Sequence, residues 1–502
     1  MPDSNPPQPH DNISAQRLCN DALANLPEAV STPGYDRKAL TAGVLHVGVG
    51  NFHRAHQASY FHRLFELGQD HDWAIVGAGM MHFDQAMRDK LAPQDWLTTI
   101  VELNPEGFRA SVIGSMINFI AVDPDALIAA MQDPQIRIVS LTVTEGGYFL
   151  SAETGGFDPT HPAVIRDAGM GNSPQTVFGA IIAALKARRD QGIAPFTVMS
   201  CDNLPENGHV ARATVLGLAQ LIDPQLAAWI ETNVAFPNSM VDCITPATGP
   251  REIDLVRSQF GIEDAAPVVC EPFRQWVMED SFPQGRPSLE KVGVEFVADV
   301  APYELMKLRI LNGGHAAIAY SSALLGHHFV HDAMADPLIA GFLNKLTVEE
   351  VLPTVPAIEG VSLTDYIAVV SKRFSNSALG DTIPRLCLDG SNRQPKFILP
   401  TIGARLSEGQ SISGLALEVA LWAHYCAGFR DDGEAIKLDD PNAARLRERA
   451  LAAQSNPLEF LAMPDIFGPL TDAPEFKQAF AAALQRLQNS PTRTVLADYL
   501  AS

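Results

Sequence analysis

Basic residues are scarce in this 502-residue chain: 36 Lys+Arg stand against 58 Asp+Glu, a formal charge of −22. A surplus of that sign repels a phosphate backbone, and no local run of Lys or Arg offsets it, so no nucleic-acid partner is expected. Cysteine is sparse too. The six thiols (Cys19, Cys201, Cys243, Cys270, Cys387, Cys426) form no C-x-x-C pair and suit neither a disulfide framework nor a zinc site. No apolar run approaches the ~18 residues a bilayer span requires. Met1-Pro2-Asp3-Ser4-Asn5-Pro6-Pro7 lacks both the basic and the apolar part of a signal peptide. The expectation is a cytoplasmic protein with no membrane partner.

What is abundant is apolar. Hydrophobic residues make up 46% of the chain and are spread along it, enough for a large core and too many for disorder. Residues 1 to about 40 are polar and Pro-rich and read as an arm with one short helix. Gly43-Val44-Leu45-His46-Val47-Gly48-Val49-Gly50 follows, an apolar run closed by glycines, as a buried parallel strand should look. A helix-like stretch (Ala55 to Leu67) and a second run, Trp73 to Gly79, complete a β-α-β unit. Ile136–Val143 and Phe196–Cys201 are further strands, with a helix over Gln175–Arg189 between them. This alternation predicts an α/β fold with a doubly wound, Rossmann-type sheet. Beyond Ala301-Pro302 the texture changes to long amphipathic segments: Tyr303–Leu325, Pro337–Leu352, Leu363–Phe374, Ile412–Ala427, Asn442–Ala453 and Pro474–Gln488. The reading is a Rossmann-type domain over 1–299 and a mainly helical domain over 300–502.

Gly48-x-Gly50 closes a strand and opens a helix, where glycine lets backbone N–H groups approach a pyrophosphate. The usual third glycine is absent, since His53 stands there. A bare glycine turn between strand and helix is the plain alternative. Asp84, five residues past Gly79, is the nearest carboxylate for a cofactor ribose. It also reads as a first-turn acid complementing a helix dipole, and Arg88 one turn later leaves a 2′-phosphate open.

Tyr303 to His315 carries the most chemistry. At about 100° per residue, with Lys307 at zero, Glu304 falls at about 60°, His315 at about 80° and Asn312 at about 140°. Four polar groups thus share one arc of an apolar helix. A lysine there, partly desolvated, suits a general base, and a neighbouring carboxamide can donate to a developing alkoxide. A solvated polar stripe is the alternative. Gly313-Gly314 argues against it, because an exposed helix gains nothing from two glycines, whereas close approach of a neighbour or ligand would explain them.

The sequence resembles the polyol-specific long-chain dehydrogenase/reductase family. The motifs are Gly48-Val49-Gly50-Asn51-Phe52-His53-Arg54-Ala55-His56, Thr144-Glu145-Gly146-Gly147-Tyr148, Ser200-Cys201-Asp202-Asn203, Phe236-Pro237-Asn238-Ser239-Met240-Val241-Asp242, and Lys307 with Asn312 and His315. Together, in this order, they are specific and cover most of the chain. The resemblance implies a zinc-independent enzyme moving hydride between NAD and C2 of a polyol, with D-mannitol and D-fructose as the pair and D-arabinitol or D-sorbitol as close relatives. It makes Lys307 the base, Asn203 and Asn312 the donors to the reacting oxygen, and Glu304 the proton path to water. It gives His315, Asp242 and Arg385 the substrate hydroxyls, Asp84 the choice of NAD, and Glu145 a place near the nicotinamide. Gly48, Gly50, Phe52 and Arg54 belong to its cofactor loop. Monomers are the family's usual state.

Two departures bear on substrate identity. Cys243 stands where the family usually has an arginine after the Val-Asp pair, and Arg393 replaces a common lysine. A hexuronate reductase of the same superfamily is the second reading, with Arg385 or Arg393 as cation for the substrate carboxylate. A nucleotide-binding sensor without catalysis is the third, and a base such as Lys307 would be idle in it. His46, His53, His56 and His62 cluster without a completing carboxylate or cysteine and read as packing rather than metal ligands. His327-His328 flank a helix, and Cys201 reads as a small buried hydrophobe.

Overall fold

The computed structural model describes residues 15–151, 154–169 and 174–502. Residues 1–14 of the polar N-terminal stretch lie outside them. The chain divides into two compact units, Met1–Ala301 and Pro302–Ser502.

The first unit is built on a five-stranded sheet of β1 (Ala42–Val47), β2 (Ala74–Ala78), β3 (Met116–Phe119), β4 (Ile138–Leu141) and β5 (Thr197–Ser200). All pairings are parallel and the order is β3-β2-β1-β4-β5, so the winding reverses between β1 and β4. The strands read as continuous apolar runs because both faces are covered. Side chains alternate between two cores: Val44, Ile75, Ile138 and Met199 join Phe61 and Phe65 on one face. Leu45, Val76, Val139 and Val198 join Phe178, Ile181 and Val215 on the other. The helices that matter below are α1 (Asn51–Ala55), α2 (Gln57–Glu66), α3 (His82–Leu91), α4 (Pro124–Met131), α5 (Val177–Gln191) and α6 (Asn207–Ile222).

Other strands form smaller sheets. Thr98–Asn104 and Gly107–Ile113 make a hairpin flanked by Val268–Cys270 and Val30–Ser31, and Ser239–Asp242 pairs antiparallel with Gln275–Glu279. The described part of the N-terminal stretch is woven in rather than hanging free. Gln16–Arg17 pairs with Ile262–Glu263, and the Arg37 guanidinium donates to the carbonyls of Gly114, Asp95 and Met116.

The second unit holds helices and no strand among the described residues. The expected continuous helix over Tyr303–Leu325 is in fact three pieces: α7 (Ala301–Met306), a π-helical turn over Lys307–Asn312, and α8 (Gly313–Leu324). Next come α9 (Pro337–Leu346), α10 (Leu363–Phe374), α11 (Ile383–Cys387), α12 (Gly390–Phe397) and α13 (Ser413–Cys426). The last is buried nearly all round. Its first N–H groups find no acceptor within the helix. Glu350 supplies one, accepting from Gly414 at 2.6 Å and Leu415 at 2.9 Å.

Candidate active site

The cofactor residues expected from the sequence gather at one edge of the parallel sheet, at the carboxyl ends of β1, β2, β4 and β5. Gly48 leaves β1 with φ +100°, and a Cβ there would lie 2.1 Å from the Thr142 carbonyl oxygen, so only glycine fits. Thr142 Oγ1 donates to the Gly48 carbonyl at 2.6 Å and fixes the turn. A Cβ on Gly50 would meet nothing closer than 3.9 Å, and no side chain caps α1. That open cradle with unclaimed N–H groups fits the pyrophosphate of a dinucleotide.

Beneath the turn, His53 stacks on His46 with ring centroids 3.5 Å apart. Burial pushes the His46 pKa down to about 3 and that of His53 well below its ordinary value, so both rings are neutral packing. His56 reaches the Gln275 carbonyl at 2.8 Å and His62 the Tyr35 hydroxyl at 2.8 Å. Among the described residues no group of three His, Cys, Asp or Glu could hold a metal. Phe52 stacks on His56. Arg54 is buried and committed to protein, donating to the Ala266 carbonyl, to Asn51 Oδ1 at 2.8 Å and to the Gly50 carbonyl at 3.3 Å. These contacts brace the Gly50–Asn51 turn, where a direct cofactor contact was expected of Arg54.

Asp84 sits in the first turn of α3, where its Oδ2 accepts from the N–H groups of Met80 (3.0 Å) and Met81 (2.8 Å). The capping reading of this acid is therefore what its contacts show, and its place past the end of β2 is where the cofactor reading puts it. Burial raises its carboxyl pKa. Arg88 is turned away, with Nε on the Phe119 carbonyl at 3.0 Å and the guanidinium 5.8 Å from the Trp96 ring centroid.

Glu145 opens a short exposed turn after β4, and Asn203 is exposed just past β5. Asp242 is buried at the end of its strand. Cys243, next to it, is buried close to Cys270, which takes a 3.3 Å contact from Arg274 Nη2. Cys201 is buried and its thiol is pushed up by burial, as befits a small hydrophobe. Not foreseen from the sequence is the set around Asp202, whose carboxylate accepts from Val143, Thr144 and Tyr148. The signal was present in an acid between a buried strand and a polar loop residue, but its partners lie more than 50 positions away.

In the second unit the π turn revises the helical-wheel placement. Bonding i→i+5 brings residue i+5 back over residue i. Asn312 therefore returns to the face of Lys307 instead of lying about 140° from it, as it would on an α-helix. Lys307 and Asn312 are half-buried. His315, in the first turn of α8, stacks on Phe374 at 4.1 Å, and its buried Nε2 has no hydrogen-bond partner. Burial, helped by the charges of Arg385, Arg373 and Arg393, keeps this imidazole neutral. Of the two mid-helix glycines a neighbour explains one: a Cβ on Gly314 would lie 3.3 Å from Phe374 and 3.4 Å from Leu343, whereas one on Gly313 would meet nothing closer than 3.5 Å.

The two arginines are less free than expected. Arg385 is clasped by Asp381 through two contacts of 2.5 Å, and lines a cavity of about 440 Å³ with His327, His328 and Tyr425. Arg393 donates to the Leu386 carbonyl at 2.8 Å, closing the end of α11. His327 sits beyond the end of α8 and contacts Asp336 at 3.3 Å.

A parallel sheet wound in this order, with a glycine cradle at the reversal and a lysine–carboxamide pair on a π turn, defines a dinucleotide-dependent dehydrogenase. Residues 42–291 match the mannitol dehydrogenase Rossmann domain and residues 299–488 the mannitol dehydrogenase C-terminal domain. The chain belongs to the mannitol dehydrogenase family. It is 56% identical to a mannitol 2-dehydrogenase of Cereibacter sphaeroides, over 94% of this chain and 99% of that one. Its fold matches Pseudomonas fluorescens mannitol 2-dehydrogenase in ternary complex with NAD and D-mannitol (TM-score 0.84, 42% identity, 97% and 100% of the chains). It also matches a D-sorbitol dehydrogenase (TM-score 0.90, 36% identity, 95% and 100% of the chains).

Proposed function

We propose that this protein is an NAD-dependent polyol 2-dehydrogenase that interconverts D-mannitol and D-fructose, with the first unit holding NAD and the second carrying the base. The observation that carries this reading is the π turn, which sets Asn312 on the face of Lys307 with the unpartnered Nε2 of His315 one turn further. Oxidising an alcohol needs a base for the hydroxyl proton and donors for the oxygen as charge develops. In this account Lys307 takes the proton, Glu304 passes it to water, and the Asn203 and Asn312 carboxamides donate to the oxygen. His315 and Asp242 orient the neighbouring hydroxyls. Bound NAD supplies the hydride acceptor. Asp84 past the end of β2 favours NAD, and Arg88 is engaged by the Phe119 carbonyl, which speaks against its serving a 2′-phosphate.

Lysine and two amides meet the proton and charge requirements, so turnover is expected to survive a chelator. The same reading takes the protein to be a cytoplasmic monomer; among the described residues no helix is long and apolar enough to cross a membrane. The hexuronate reading is disfavoured because Arg385 is already clasped by Asp381 and Arg393 is committed to backbone carbonyls. Nicotinamide absorbance with chelator-treated protein tests the assignment, using NAD and NADP with mannitol, arabinitol and sorbitol, and NADH with fructose, fructuronate and tagaturonate. Turnover of mannitol and fructose supports it, and activity confined to the uronates would overturn it.

A further inference from the structure

The turn after β4 is held in unusual backbone geometry. Thr144 has φ 67° and ψ 164°, and Phe149 has φ 52° and ψ 51°, so the short segment Glu145–Tyr148 is bracketed by two non-glycine residues with positive φ. The Thr144 conformation is one that glycine alone takes readily, and a β-branched side chain makes it a true outlier. Such a residue persists only where its surroundings over-determine it.

Here the surroundings are one carboxylate and one phenol. Asp202 Oδ2 accepts from the Val143 N–H at 3.0 Å and Oδ1 from the Thr144 N–H at 2.8 Å. The Tyr148 hydroxyl donates to Asp202 Oδ2 at 2.6 Å and lies 2.6 Å from Ser200 Oγ. Tyr148 and Ser200 are fully buried and Asp202 is 7% exposed. The clamp therefore grips both sides of the strained residue, from its own N–H to the far end of the turn. Asp202 is also the residue before Asn203 and closes the end of β5. With three donors on its oxygens it has little capacity left for proton transfer, so its work is mechanical.

We propose that Asp202 and Tyr148 are positioning residues, a buried carboxylate–phenol clamp that holds Thr144 in its strained conformation and so fixes both the Glu145–Gly147 turn and Asn203 for the reaction. The proposal rests on the dehydrogenase reading above. It explains why the Thr-Glu-Gly-Gly-Tyr motif ends in tyrosine: the phenol reaches the Asp202 carboxylate from inside the core.

The experiment uses the full chain with Tyr148→Phe, Asp202→Asn, Thr144→Gly and the pairwise combinations of Thr144→Gly with the other two. Two readouts are followed: kcat and KM with mannitol and NAD, and amide exchange of residues 143–149 in protein without cofactor. Removing one hydrogen bond to a charged group should lower kcat roughly tenfold in Tyr148→Phe, with KM for the polyol within about twofold. Exchange over 143–149 should quicken. Thr144→Gly, which adopts the conformation without strain, should return most of the activity lost in Asp202→Asn. A purely structural bond would lower thermal stability and leave kcat per folded molecule unchanged, and that result overturns the proposal. So does a folded Asp202→Asn that Thr144→Gly fails to rescue. If Asp202→Asn does not fold, Tyr148→Phe with and without Thr144→Gly decides by the same criteria. If the wild type turns over no polyol, the dehydrogenase reading falls, and amide exchange alone judges the clamp: unchanged exchange in Tyr148→Phe refutes it, faster exchange supports it.

Discussion

Asn312 lies one π turn beyond Lys307, so the carboxamide returns over the face that carries the amine. An unbroken α-helix would hold the two about 140° apart. The local winding of the backbone thus sets an amine and a carboxamide on one face of a single segment, the pair that the proposed mechanism uses as base and oxyanion donor, and His315 follows on the next turn.

Lys307→Ala should lower kcat by about 10²–10⁴-fold, the range for losing a general base. Asn312→Ala should lower it by about 10²–10³-fold, as for losing one oxyanion donor. Fluorescence titration should show NADH bound by both variants as by the wild type. A Lys307→Ala protein that keeps its kcat would remove the base from this account.

In the proposed reading Asp84 both caps α3 and selects NAD, and Asp84→Asn separates the two. Loss of the charge should raise KM for NAD and let NADP in, measured as the ratio of kcat/KM for the two cofactors. Asn keeps a side-chain oxygen for the capped N–H groups, so α3 should lose little stability in Asp84→Asn, whereas Asp84→Ala, which removes the cap, should cost about 1 kcal/mol in denaturant unfolding. An unchanged cofactor ratio in Asp84→Asn with lowered stability in Asp84→Ala would leave Asp84 a capping residue only.

His315 is held neutral by burial and by three arginines. Its ring signals should show no titration between about pH 5 and 8, where an ordinary histidine with a pKa of about 6.5 changes charge. His315→Ala should raise KM for the polyol more than it lowers kcat. A histidine resonance that titrates near pH 6.5 and vanishes in His315→Ala would contradict the neutral hydrogen-bonding role.

Glu418, fully buried in α13, has its pKa raised to about 8 by burial. Gln394 Nε2 donates to its Oε1 at 2.6 Å, while Glu418 Oε2 and Gln394 Oε1 have no partner. A protonated Glu418 can satisfy both orphaned oxygens by donating from Oε2 to Gln394. A carboxyl whose folded pKa is raised contributes its full stability below the unfolded value. That contribution declines by about 1.4 kcal/mol per pH unit as pH rises toward the folded value and is flat above it. Glu418→Gln keeps the pairing without the titration. Its stability relative to wild type should therefore climb between about pH 4.5 and 8 and level off beyond. A stability difference independent of pH would show that Glu418 does not titrate in this range.

The parallel sheet was legible because buried strands write continuous apolar runs, and the runs at Val44, Ile75, Ile138 and Thr197 all became strands. The hairpin of Thr98–Asn104 and Gly107–Ile113 lay outside that alternation and was missed, although Asn104-Pro105-Glu106-Gly107 carries a turn signal. Local periodicity cannot distinguish a π turn from an α turn, so the face of Asn312 was misplaced. The aims of Arg54, Arg88 and Arg393 were hidden for another reason. A guanidinium points where its acceptors are, and Arg54 finds one in Ala266, 212 positions away. The partners of Asp202 were hidden for the same cause.

The central claim is a lysine-based oxidation of mannitol by NAD, and the most direct measurement is nicotinamide absorbance on chelator-treated protein, wild type beside Lys307→Ala. The account predicts NADH formation from mannitol and NADH consumption with fructose in the wild type, both lost in Lys307→Ala while NADH binding persists. Wild-type turnover that vanishes with the chelator, or a Lys307→Ala protein as active as the wild type, would contradict it.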